Sequence, residues 1–141
     1  MHVQLVENEQ QLEDAYSVRK TVFVEEQLVP IEEEIDEFEA EAAHFVLYEN
    51  NQAIGAGRFR IIDGFGKVER ICVLPTHRIA KGSGRKIMNF IEGYALSKGI
   101  TSLKLNAQTH AEGFYSKLGY QTVSDIFLDA GIPHVTMIKK I

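Results

Sequence analysis

The chain has 141 residues, a length that holds one domain around one core. Its apolar content of 45% and charged content of 25% are those of a globular protein, and no stretch approaches the ~20 apolar residues that cross a bilayer. A formal charge of −5 excludes general affinity for DNA or RNA, but leaves room for a local basic patch on a phosphorylated small molecule.

The chain opens on MHVQLVENEQQ, without the basic-then-apolar pattern of a secretory signal. HVQLVE (2–7) alternates and predicts a short strand. Leu12, Ala15, Tyr16, Val18, Val22 and Phe23 recur near helical spacing and predict an amphipathic helix over 9–24. Residues 25–41 carry nine carboxylates in seventeen positions around Pro30, which predicts a loop with one helical turn near 31–37. Such a charge run usually forms a solvated face; its other use is to attract a cationic amine. AAHFVLYE (42–49) and QAIGAGRFRIID (52–63) predict two strands joined at Asn50-Asn51, because asparagine tolerates φ > 0. Asp63-Gly64 predicts a second hairpin, leading into a strand over 66–74 that Pro75 ends. That strand contains Cys72, the one cysteine. A lone cysteine excludes an internal disulfide and fits a reducing compartment, so a cytoplasmic protein is expected.

Residues 82–98 carry the clearest helical period, with Ile87, Ile91, Tyr94, Ala95 and Lys98 on one face and Gly99 as C-cap. Residues 101–108 predict a strand, 110–120 a short helix ended by Gly119, and 134–140 a final strand at a sheet edge. An edge there leaves pairing between two chains of a homodimer open. Consecutive strands indicate an antiparallel meander, and strands separated by helices a parallel pair. The order predicts an α/β (α+β) fold in a single domain over 1–141.

Between Pro75 and the periodic helix lies HRIAKGSGRK (77–86). A helix start exposes unpaired N–H groups and the positive end of the helix dipole, and glycine lets a ligand approach the backbone. Together they make an anion site, with phosphate as its usual anion. Lys81, Arg85 and Lys86 oppose the dipole, and a bound polyanion offsets that cost. Gly-x-Gly alone is a weak motif that often only shapes a turn. GxxxxGK[ST] is absent and GxGxxG fails at Ile87, which disfavours a nucleoside triphosphatase and a dinucleotide site.

ICVLPTHRIAKGSGRKIM (71–88) resembles motif A of the GNAT acetyl-CoA-dependent N-acetyltransferases. In that family a strand is followed by Gln/Arg-x-x-Gly-x-Gly/Ala and a helix. NAQTHAEGFYSKLGY (106–120) resembles the family's later strand–helix–strand block. VFVEEQ (22–27), EIDEFEAEAAHFV (34–46) and GIPHVTM (131–137) are similar to the ElaA/YjcF-like bacterial branch. One departure stands out: Ile79 occupies the family's Gln/Arg position, and Arg78 lies one residue early.

The resemblance implies a mostly antiparallel sheet with helices on both faces and two splayed parallel central strands, here 66–74 and 101–108. A β-bulge in the first is a physical device for such a splay. It implies acetyl-CoA as co-substrate, with the backbone of Ile71, Cys72 and Val73 along the pantetheine arm. Ile79, Ala80, Lys81, Gly82, Ser83 and Gly84 would wrap the diphosphate, with Arg85 nearby. Asn106 and Gln108 would meet the pantetheine amides, unless they cap the next helix.

Acetyl transfer needs a neutral amine, a donor for the oxyanion and a proton for the leaving thiolate. The resemblance implies Tyr115 as the acid; its structural alternative is a packing aromatic. On the same resemblance, the N–H of Val73 is the expected donor that polarises the carbonyl. Glu69 is the expected base, on the same strand face as Ile71 and Val73 by simple alternation, with an ion pair as its structural alternative. His77 and His110 titrate in the useful range, and water-mediated deprotonation needs no base. Cys72 alternates away from Glu69 and fits a buried apolar role better than that of an acyl carrier.

No His/Cys/Asp cluster has metal-ligand spacing, so no metal is expected. The leading expectation is an N-acetyltransferase for a small primary amine such as an amino sugar or a polyamine, without nucleic-acid or membrane partners. The alternatives are a protein N-terminal or lysine acetyltransferase, a non-catalytic acyl-CoA sensor, and a nucleotide-binding module. Acceptor contacts are expected from 19–40 and 125–134.

Overall fold

Asn50 and Asn51 take φ of 51° and 64°, the left-handed pair of a two-residue hairpin turn, and Asp63-Gly64 repeats the arrangement. These turns join β2 (Ala43–Glu49), β3 (Gln52–Ile62) and β4 (Phe65–Val73) into the expected antiparallel meander. The other strands are β1 (His2–Leu5), β5 (Ser102–Gln108), β6 (Gln121–Thr122), β7 (Phe127–Asp129) and β8 (Ile132–Lys140). This computed structural model describes residues 1–78 and 82–141, and its sheet runs β1-β2-β3-β4-β5-β8-β6, with β7 also on β8. β4 and β5 pair in parallel, and the other pairings among the described residues are antiparallel. The mixed, mostly antiparallel sheet agrees with expectation. The expected edge at 134–140 does not: β8 lies between β5 on one side and β6 and β7 on the other.

α1 (Glu9–Arg19) starts at Asn8, whose Oδ1 accepts from the Gln11 N–H at 2.9 Å. It does not run on to 24 as an α-helix. Lys20–Glu26 widen into a π-helix, marked by the bond from Gln27 N–H to Val22 O at 3.1 Å. α2 (Ile31–Glu34) is the expected turn, and α3 (Ser83–Ser97) the expected periodic helix. The segment 110–120 resolves into a 3₁₀ turn, Thr109–Ala111, and α4 (Glu112–Lys117). α3 buries Ile87, Met88, Ile91 and Ala95 against Phe45, Leu47, Phe59 and Leu103. α1 and its extension bury Ala15, Val18 and Val22 on the other face, against Val46, Ala56 and Cys72. Each fully buried Val, Leu, Ile, Phe or Met side chain there contributes about 1.5–3 kcal/mol.

The acidic stretch is not simply a solvated face. Arg19 Nε donates to Glu34 Oε1 at 2.9 Å, and its terminal nitrogens donate to Glu39 at 2.9 and 2.7 Å. Arg58 donates to both oxygens of Asp36 at 2.7 and 3.0 Å. Arg19 and Arg58 are 0% and 1% exposed, so these carboxylates satisfy charges that have lost water. Burial raises the Glu39 pKa, but bonds from Arg19 outweigh it and hold the carboxyl at about 2, below its ordinary 4.5. The folded pKa lies below the unfolded one, so the stabilisation is complete above about pH 4.5 and is lost as pH falls towards 2. Melting temperatures between pH 5 and 2 are therefore expected to fall more steeply for the parent than for Glu39→Gln. Equal slopes would remove Glu39 from the acid response.

Candidate active site

Across β3, Ala56 faces Cys72 and Arg58 faces Glu69, so three steps on β4 match two on β3. The extra residue is a bulge, and Arg70 absorbs it at φ 58°. A left-handed backbone costs a non-glycine residue of order 1–3 kcal/mol. Parallel pairing with β5 runs from Gly66↔Leu103 to Val68↔Leu105 and ends there, two residues before the bulge. β4 continues to Val73 and β5 to Gln108 without that ladder.

The bulge also flips the alternation. Ile71 and Val73 pack towards the α3 core, whereas Cys72 packs under α1 and Glu69 meets Arg58 and Arg60. The expectation that Glu69 shares a face with Ile71 and Val73, and lies opposite Cys72, is therefore corrected. One inserted residue reverses every side chain beyond it.

A cavity of about 1130 Å³ opens where the strands part. Glu69, Ile71, Cys72 and Val73 of β4 line it, with Asn106 and Gln108 of β5, Tyr115 of α4 and Gly84 of α3. Gly82, Ser83 and Arg85 stand at the start of α3 without lining it, and Ile79, Ala80 and Lys81 lie outside the described residues. Gly82 is the N-cap at φ 65°, and among the described residues no side chain caps the first-turn N–H groups. A Cβ on Gly84 would come within 2.9 Å of Phe114 Cζ, so this turn tolerates no larger residue without moving that ring. His77 does not line the cavity; it lies 3.8 Å from Glu49.

Tyr115 is 8% exposed, and its ring packs on Phe114 and Tyr120 at 5.0 and 5.9 Å. Burial, with a smaller contribution from Cys72, raises its pKa, so the phenol keeps its proton at neutral pH. Glu69 accepts from Arg60 Nε at 2.7 Å and from Arg58 Nε at 3.1 Å. Burial raises its pKa, but these guanidiniums prevail and lower it, which makes the carboxylate a weaker base. Burial pushes the Cys72 thiol up to about 12, which keeps the nucleophilic thiolate scarce. Asn106 Oδ1 accepts from Thr136 Oγ1 at 2.8 Å, and Gln108 exchanges amide bonds with Gln27 at 2.8 and 3.3 Å. His110 Nε2 bonds Gln108 Oε1 at 2.7 Å.

Arg70 and Arg78 also line the cavity, where no site role was expected of them. Arg70 reaches from the bulge to the acidic segment, donating to Glu34 O at 3.1 Å and to Asp36 Oδ2 at 3.2 Å. Arg78 donates to Glu26 at 2.7 and 2.5 Å and to Val73 O at 2.9 Å. Asp129 and His134, from the β7–β8 hairpin, line it too and fall within the segment 125–134 from which acceptor contacts are expected. Ala130-Gly131, both at positive φ, was the local signal for that hairpin.

A family model described as an acetyltransferase (GNAT) domain matches residues 6–141. N-acetyltransferase YjcF of Bacillus subtilis (strain 168), itself uncharacterized, is 53% identical over 140 residues, 99% of each chain. The crystal structure of Escherichia coli ElaA is similar over 99% of both chains, with a TM-score of 0.85 at 22% identity. An aminoglycoside 6'-N-acetyltransferase complexed with coenzyme A is similar over 99% of this chain and 97% of that one, with a TM-score of 0.80 at 16% identity. At those two identities the likeness concerns the fold alone.

Proposed function

The chain belongs to the GNAT acetyltransferase family, and from that premise we propose that its cavity joins acetyl-CoA to the primary amine of a small molecule for direct acetyl transfer. The observation that carries this reading is the parting of β4 and β5 at the Arg70 bulge, beside the glycine start of α3. Parted strands leave backbone groups of Ile71–Val73 for the amides of a pantetheine arm. First-turn N–H groups of α3 suit a diphosphate. These residues fit acetyl-CoA, whose thioester supplies the activated acetyl group. We read 1–141 as a single such domain.

Each residue then has a role. Gly82, Ser83 and Gly84 hold the diphosphate with their N–H groups, with Arg85 beside them. Arg78 releases Val73 O when that carbonyl pairs with the arm. Asn106 orients the arm, the Val73 N–H polarises the carbonyl, and Tyr115 protonates the leaving sulfur. Glu69 keeps its place on the wall as an ion-pair partner. Glu32, Glu33 and Asp129 line the cavity with no ion pair among the described residues, which favours a cationic acceptor such as a polyamine or amino sugar.

Thermal unfolding with acetyl-CoA, and with ATP and NAD as controls, tests the cofactor. A ligand at 100 times its Kd adds ~2.7 kcal/mol, a shift of several degrees. Spermidine, glucosamine and a lysine peptide then serve as acceptors, with thiol release as the signal. Turnover of spermidine or glucosamine is expected. A shift with ATP or NAD alone overturns the cofactor, and turnover of the peptide alone overturns the small-molecule acceptor.

A further inference from the structure

Amine attack needs a proton acceptor, and the ion-paired Glu69 is a poor one. His2, on β1, does not line the cavity. Of the other described histidines, His77 lies off it too, and His44 bonds the Glu39 carbonyl inside the buried ion network. His110 lines the cavity but is exposed, with Nε2 committed to Gln108.

His134 differs from all four. It is 8% exposed and lines the cavity. Its Nδ1 lies 2.6 Å from Ile132 O. A carbonyl oxygen only accepts, so Nδ1 carries the hydrogen and, in the neutral ring, Nε2 holds the lone pair. Nε2 has no hydrogen-bond partner among the described residues. Phe127 stacks on the ring at 6.0 Å and 24°, which fixes its plane. On β8, Val135 and Met137 face the α3 core, so alternation sends His134 and Thr136 to the other face. Thr136 meets Asn106 there, and Glu69 and Cys72 occupy the same face of β4.

We propose that His134 is the general base of the acetyl transfer. This rests on the cavity being where acetyl-CoA and an amine meet. His134 Nε2 takes a proton from the acceptor ammonium and frees the lone pair that forms the C–N bond. The C–S bond breaks, its electron pair leaves on sulfur, and Tyr115 gives that sulfur its proton. The second amine proton passes to solvent as the phenol is restored, and the imidazolium returns its own to water. One amide, one thiol and one net proton result from an ammonium and a thioester.

The charged and titratable groups that line the cavity with His134 include Asp129 on the same hairpin, Lys67 and Glu69 on β4, Glu32 and Glu33 of α2, and His110 beside Gln108, the β5 partner of His134.

The test compares the parent with His134→Gln and His134→Ala, using spermidine and glucosamine as acceptor probes. kcat is expected to fall about 10²–10⁴-fold, with the acetyl-CoA Kd within about twofold of the parent. The acid limb of the rate–pH profile should disappear, and free imidazole should partly rescue His134→Ala. A kcat within about threefold of the parent, or a surviving acid limb, overturns the proposal. Imidazole ¹⁵N spectra of the parent should show the Nδ1–H tautomer, and an Nε2–H ring overturns it without any turnover. If acetyl-CoA binds and neither probe reacts, the small-molecule acceptor fails, while the ¹⁵N spectra still decide the ring.

Discussion

Gly82→Val is expected to weaken acetyl-CoA binding by about 100-fold or more, a loss of ~2.7 kcal/mol. Gly82 holds the N-cap of α3 at φ 65°, and its carbonyl accepts the first helical bond from Lys86 N–H at 3.0 Å. A Cβ built on it meets no atom of the described residues within 4 Å. Valine therefore clashes with none of the described residues, and its branches project from the start of α3. Two costs follow. A β-branched residue in the left-handed region is strained by of order 1–3 kcal/mol, which lowers the melting temperature. The same branches stand where a diphosphate must approach the first-turn N–H groups, which lowers affinity. Gly82→Ala separates the two, because it keeps most of the strain and adds one methyl. Calorimetric titration with acetyl-CoA should rank the parent above Gly82→Ala and Gly82→Ala above Gly82→Val. Parent-like affinity in Gly82→Val would move the diphosphate away from the start of α3.

What the sequence makes legible here is local. Asn50-Asn51 and Asp63-Gly64 announce their hairpins because the chemistry of the turn lies within the turn itself. The periodicity of 82–98 announces α3, although Met88 is fully buried where Tyr94 was expected on the inner face and Met88 only beside it. What stays hidden is set by distant partners. No residue type marks the bulge, since arginine has no preference for a φ of 58°; what settles Arg70 there is the carbonyl of Glu34 and the carboxylate of Asp36. Missing that one residue put Glu69 with Ile71 and Val73 and opposite Cys72, when it shares a face with Cys72 instead. The inward turn of Glu34, Asp36 and Glu39 likewise needs Arg19 and Arg58, 15 to 22 positions away in sequence. His134 was closer to legible, because Val135 and Met137 alternate with it. Its ring becomes notable only once the hairpin and the parted strands enclose a cavity around it.

Tyr115→Phe is expected to lower kcat by about 10²–10⁴-fold while leaving the acetyl-CoA Kd and the melting temperature close to the parent values. The ring does the packing, against Phe114 and Tyr120, and phenylalanine keeps the ring. Only the hydroxyl is lost, and it makes no hydrogen bond among the described residues that its removal would strand. Burial raises the phenol pKa, so across neutral pH Tyr115 is present as the proton donor and sets no basic limb in the rate profile. A donor of that kind matters most when the leaving thiolate is strongly basic. An acetyl thioester of a more acidic thiol needs less protonation at sulfur, so it should narrow the gap between Tyr115→Phe and the parent. That comparison separates the two catalytic roles. A changed leaving group acts on the acid step and should leave the deficit of His134→Gln in place, because that deficit arises at the amine. An equal narrowing in both variants would mean that the two side chains serve one step, and an unchanged kcat in Tyr115→Phe would leave the thiolate to take its proton from water.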